Sequence, residues 1–144
     1  MPRTVEGEEL TKLILETFRL NGALLAAGNQ LTKPFGLTSA RWQVLGPIEQ
    51  ELLTVSQIAR RMGLARQGVQ RIVNDLERLG LIVLKPNIDH KRAPLIALSE
   101  TGKKVMTQVY KEQAAWVNKL SDGMNKRQLQ QALQVVETIR ERIE

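Results

Sequence analysis

The sequence predicts a mainly helical fold carrying one small β-hairpin, and three observations predict it. Aromatic residues are only 3% of the 144, so the core has to come from Leu, Ile, Val, Ala and Met, a palette that suits helices. Apolar residues recur at three- and four-residue spacing through most of the chain. That rhythm is broken by two β-rich runs, Leu81-Ile82-Val83-Leu84-Lys85 and Pro94-Leu95-Ile96-Ala97-Leu98.

Taken in order, residues 1–7 are polar and expected to fray. Residues 8–30 read as a long helix through Leu10, Leu13, Ile14, Phe18, Leu24 and Leu25, weakened in its second half by Gly22 and Gly28. Leu31 to Leu37, with Pro34 and Gly36, reads as a loop. Thr38 is placed to cap a helix through Trp42, Val44, Leu45 and Ile48, which Pro47 must kink or end.

Thr54 and Gln57 stand at capping-box spacing, and the short helix they open packs through Ile58, Ala59 and Met62 and stops at Gly63. An amphipathic helix follows. Val69, Ile72, Val73, Leu76 and Leu79 form its apolar face, and Gly80 stands where a helix needs positive φ to end. Short helix, tight glycine turn and amphipathic helix together make the helix-turn-helix pattern.

The other face of that second helix carries Arg66, Gln67, Gln70, Arg71 and Asn74. Arg and Gln side chains can each bond two atoms of a base edge at once, guanine and adenine respectively. The hairpin comes directly after, as a wing. Its anchors are expected at Leu84, Leu95, Ile96 and Leu98, leaving Lys91 and Arg92 at the tip to meet phosphates or the minor groove. Thr54 and Ser56, at the start of the short helix, join the candidate DNA-binding set. Ser99 caps another long helix through Val105, Met106, Val109, Trp116 and Leu120. A last helix runs from about Lys126 to Ile143.

Charge supports the same segment. The net charge is +6, and residues 57–94 supply +5 of it, which points to a polyanionic partner. A solvated basic face is the plainer alternative. There is no cysteine and one histidine, His90, so disulfides, thiolate metal sites and thiol switches are excluded, and no metal or cofactor is expected. No glycine-rich phosphate loop or spaced acid cluster is present, so the chain is not expected to be an enzyme. No run approaches the ~18 apolar residues of a membrane span, and no secretory signal opens the chain, so the expected location is the cytoplasm.

The chain resembles the MarR family of bacterial winged-helix regulators. The matching pieces are Leu37-Thr38-Ser39-Ala40-Arg41-Trp42-Gln43-Val44-Leu45, Val55-Ser56-Gln57-Ile58-Ala59, Arg71 to Ile82, Asp89-His90-Lys91-Arg92, and Leu98-Ser99-Glu100-Thr101-Gly102. The resemblance implies a single MarR-type domain: a winged helix-turn-helix lobe over about 38–98, and a dimerisation lobe from about 8–30 and 99–144. It implies a homodimer on pseudo-palindromic double-stranded DNA, each recognition helix in a major groove and each wing at a minor groove. A repressor released by a small aromatic or phenolic effector is the expected activity. Asp89 matches an acidic wing residue that braces an arginine. Ala65 departs from the Ser or Thr that opens the family's recognition helix, and Gly68 stands where a side chain usually meets DNA. Trp42, Met106 and Tyr110 are candidate effector-pocket residues, with core packing the plainer reading. The competing function is a winged-helix module that binds protein or RNA without a specific operator.

Overall fold

The computed structural model describes all 144 residues. Helices α1 (Val5–Thr32), α2 (Ser39–Leu45), α3 (Val55–Met62) and α4 (Arg66–Arg78) precede strands β1 (Ile82–Lys85) and β2 (Leu95–Leu98). Helices α5 (Glu100–Leu120) and α6 (Lys126–Ile143) complete the chain. No helix is long and apolar enough to cross a membrane. The chain divides into two compact units, Met1–Tyr110 and Lys111–Glu144.

Helix α1 begins before residue 8 and ends after residue 30, and both extensions have local causes. The Thr4 hydroxyl accepts from Gly7 N at 2.9 Å, which caps the helix at its true start. At the other end Gly28 is a contact rather than a weak point. A Cβ there would collide with the Ser39 hydroxyl, whose oxygen donates to Leu25 O at 2.6 Å. Ser39 N donates to Asn29 Oδ1 at 2.8 Å, so α1 and the start of α2 are tied by two hydrogen bonds. Past Thr32, Pro34 starts a single 3₁₀ turn (Lys33–Phe35) where an irregular loop was expected.

Thr38 caps α2 as expected, accepting from Arg41 N at 3.2 Å. Pro47 ends this helix rather than kinking it: α2 stops at Leu45, and Ile48 stays buried in the turn that follows. The capping box of α3 forms in both directions, Gln57 N to Thr54 Oγ1 at 3.2 Å and Thr54 N to Gln57 Oε1 at 2.9 Å. Helices α3 and α4 close with the same device. Gly63 and Gly80 adopt φ of 65° and 74°, and the next residue's N–H reaches back five positions, Leu64 to Ala59 O and Leu81 to Leu76 O.

The wing is an antiparallel pair with Ile82 opposite Leu98 and Lys85 opposite Leu95. Its anchoring differs from expectation. Leu84 is 43% exposed, whereas Ile82 and Ile96 are buried. Side chains alternate across a strand, so Ile82 facing the core turns Val83 away and leaves Leu84 beyond the reach of the core. Leu53, outside the hairpin, pairs with Ile96, and Ile96 N donates to its carbonyl at 2.7 Å.

One core unites this first unit. Val44, Leu45, Ile58, Val69, Leu76, Ile96 and Val109 are at or near zero exposure, drawn from α2, α3, α4, β2 and α5. The second unit holds no buried residue; Leu129, Leu133 and Val136 of α6 are all about half exposed or more. Leu13, Leu15, Phe18 and Leu24 leave a comparable apolar surface open on α1.

Two glycine substitutions test these contacts. A Cβ at Gly102 would strike the Leu81 carbonyl, which is backbone, whereas one at Gly28 strikes the Ser39 hydroxyl, which can rotate. Gly102→Ala is expected to cost at least ~1–3 kcal/mol of overpacking, and Gly28→Ala less. Urea-unfolding midpoints in the reverse order would contradict this packing.

Candidate nucleic-acid interface

The turn at Gly63 delivers α4 with Val69, Val73 and Leu76 buried, so helical geometry sends the other side outward. Arg66, Gln67, Gln70, Arg71 and Asn74 are all exposed there. Two carboxylates of this region are engaged by other arginines. Asp75 pairs with Arg78, and Glu51 pairs with Arg61. Arg66 and Arg71 have no carboxylate partner, so their charge is fully available to an anion. Gln70 Nε2 donates to Asn74 Oδ1 at 3.0 Å across one helical turn.

The N-terminus of α4 lacks a side-chain cap, because Ala65 has no hydroxyl. Its first backbone N–H groups are therefore unoccupied and positively polarised. Thr54 and Ser56 lie half-buried at the start of α3. The Thr54 oxygen is engaged in the capping box, which leaves its O–H proton free to donate.

At the wing tip Lys91 and Arg92 are exposed and form no ion pair, and Ile88 stands 96% exposed beside them. Asp89 does not brace an arginine in the free chain. Its backbone N–H instead donates to Asn87 Oδ1 at 3.2 Å, while Asn87 Nδ2 donates to Ala93 O at 2.9 Å. Asn87 closes the base of the tip through these backbone bonds, and no arginine is braced there. The signal was available, since Asn bonding its own backbone two residues on is a common turn device.

The three effector-pocket candidates separate. Met106 is a core residue at 2% exposure, Trp42 is half-buried against the core near Gly28, and Tyr110 is 53% exposed. Glu49, absent from the sequence reading, stands beside Tyr110. One of its carboxylate oxygens, Oε1, is shut off from solvent without a hydrogen-bond partner. Burial raises the Glu49 pKa above its ordinary 4.5, and the Tyr110 hydroxyl offsets part of that rise. The Glu49 charge, with partial burial and hydrogen bonding to that carboxylate, pushes the Tyr110 phenol above 10.0.

A helix-turn-helix whose second helix presents unpaired arginines and amides, next to a basic hairpin, defines a winged-helix DNA-binding regulator. The MarR family profile matches residues 35–93. Uncharacterized protein Rv2011c of Mycobacterium tuberculosis is 39% identical over 124 residues, spanning 86% of this chain and 87% of its own. The HTH-type transcriptional regulator TcaR of Staphylococcus aureus is 27% identical over 133 residues, 90% of this chain and 88% of its own. Among solved structures, CouR of Rhodococcus jostii RHA1 bound to p-coumaroyl-CoA is 25% identical, covers 84% of this chain and 86% of that one, and superposes with a TM-score of 0.75. The chain belongs to the MarR family of transcriptional regulators, proteins that bind DNA and work as dimers rather than as enzymes.

Two substitutions check the local physics. A Cβ at Gly68 meets open space, and the residue is helical with ordinary φ. Gly68→Ala should therefore raise stability by up to about 1 kcal/mol in thermal unfolding; a loss would show that this position is not open. For Glu49, a raised folded pKa means the folded state binds its proton more tightly than the unfolded chain. The charged form at neutral pH therefore costs stability, and that cost vanishes as pH falls toward 4.5. Glu49→Gln should unfold at a higher temperature than the parent at pH 7, with the gap closing in acid. A gap that widens in acid would contradict the sign.

Proposed function

We propose that the protein is a homodimeric repressor that binds a pseudo-palindromic operator, with α4 in the major groove and the wing at the minor groove. The observation that carries this reading is the exposed cationic and amide surface of α4, on which neither Arg66 nor Arg71 forms an ion pair, while Asp75 and Glu51 are paired with Arg78 and Arg61. Arg66, Gln67, Gln70 and Arg71 are assigned to the base edges, and Lys91, Arg92, Thr54 and Ser56 to the DNA backbone and the minor groove.

The uncovered apolar faces of α1 and α6 support self-association. Each is a surface that a soluble monomer rarely leaves open, and a second copy supplies a matching surface for each. Release by an aromatic or phenolic ligand is supported by CouR, whose structure holds p-coumaroyl-CoA. Tyr110 and Trp42 are the aromatic side chains assigned to such a ligand, with Glu49 beside Tyr110. The DNA target supports a cytoplasmic location.

Selecting bound genomic fragments and measuring affinity against salt tests the whole reading. A sequence-selective complex with two copies of the chain per site is expected. On that site Arg71→Ala should lose ~1–3 kcal/mol and relax preference at one base pair. Replacing Lys91 and Arg92 together by Ala should flatten the slope of log affinity against log salt by about two, one for each phosphate contact. A monomer in sedimentation, or equal loss on selected and random DNA for Arg71→Ala, would overturn the corresponding part.

A further inference from the structure

Two of the exposed residues on α4 are not independent. Gln70 Nε2 donates to Asn74 Oδ1 at 3.0 Å, and both side chains otherwise face solvent. They are four residues apart, so the helix stacks one directly over the other. A primary amide has two N–H bonds and one oxygen in a single plane. Asn74 takes one N–H. With the N–H that points away from Oε1 bonded to Asn74, the acceptor Oε1 and the other N–H are left side by side.

An acceptor beside a donor complements one base in the major groove. Adenine offers its N6 amino group as donor and N7 as acceptor, whereas guanine offers two acceptors, O6 and N7. We infer that Gln70 and Asn74 form a single reading unit in which Gln70 recognises adenine and Asn74 is the positioning residue that orients its amide. This inference rests on the proposed docking of α4 in the major groove. It gives Asn74, a member of the candidate DNA-facing set, a supporting part rather than a base contact of its own.

The physical gain lies in pre-organisation. An exposed glutamine has many rotamers, and binding a base edge freezes them. A partner one turn away restricts those rotamers before DNA arrives and also fixes which end of the amide is donor. Asn74 suits this part because its oxygen accepts while its own NH₂ remains free. Asp75, the neighbouring acid, cannot substitute, since it is paired with Arg78.

The test is selection of preferred sites by wild-type protein, Gln70→Ala, Asn74→Ala, the double variant and Asn74→Asp. Gln70→Ala is expected to lower the preference for A·T at one base pair by roughly 5- to 150-fold, the range of a bidentate contact. Asn74→Ala should relax that same base pair by roughly two-fold, and the double variant should lose no more than Gln70→Ala alone. Asn74→Asp keeps the accepting oxygen and should keep the preference while weakening overall binding at low salt. A purely structural role for Asn74 would leave the preference at that base pair unmoved. Relaxation at a different base pair, additive losses, or a guanine preference at the Gln70 position would overturn the reading unit. A wild-type protein with no sequence preference would overturn the docking of α4 itself, which separates that failure from this one.

Discussion

The carbonyl of Leu81 is the point on which the DNA-facing geometry depends. It accepts the N–H of Ser99 at 3.0 Å, and it lies where any Cβ on residue 102 would have to be. One residue earlier, Gly80 O accepts from the Ser99 hydroxyl at 2.6 Å, and the Ser99 Oγ in turn accepts from Gly102 N at 2.9 Å. The end of α4, the base of the wing and the start of α5 thus meet within a few atoms. A glycine is required because α5 approaches the backbone of the α4–β1 turn too closely for any side chain. Direction follows from this junction: α4 stops at a fixed angle, and β1 leaves toward the wing tip rather than along the core.

The chain handles its charges by the same economy of position. Asp75 and Glu51 neutralise Arg78 and Arg61, and the unpaired arginines include Arg66 and Arg71 on the open side of α4. Surface pairs of this kind contribute little to stability. Their effect is on the field. They remove the nearby negative groups that would otherwise shield the arginines from an approaching phosphate. In contrast Glu49 keeps a desolvated carboxylate oxygen with no partner, a cost borne where α2 has just ended and Tyr110 of α5 lies alongside.

Local physics made much of this legible in advance. The Thr38 cap, the Thr54–Gln57 box, the glycine stops at 63 and 80 and the Ser99 cap all form between residues a few positions apart, so residue type and spacing suffice to find them. The apolar stripe of α4 was likewise visible, and with it the identity of the opposite face. Misreadings fell where distant residues decide the outcome. Gly28 looked like a flaw in a helix because Ser39, which fills the space beside it, is eleven residues further on. Leu84 looked like an anchor because its hydrophobicity says nothing about how far along the strand the core extends.

The sequence by itself determined which elements exist and which residues share a face, because capping and helical periodicity are short-range and carry their own chemistry. Tertiary structure decided which residues meet across elements and which are covered. Arg78 differs from Arg71 for a local reason, its i,i+3 pairing with Asp75, whereas Arg61 differs from Lys91 because folding brings Glu51 within reach. Gly28 and Leu84 were likewise settled by what packs beside them, Ser39 for the one and the limit of the core for the other. An ion pair or an amide contact is a property of two positions at once, and composition along one line of chain does not specify it.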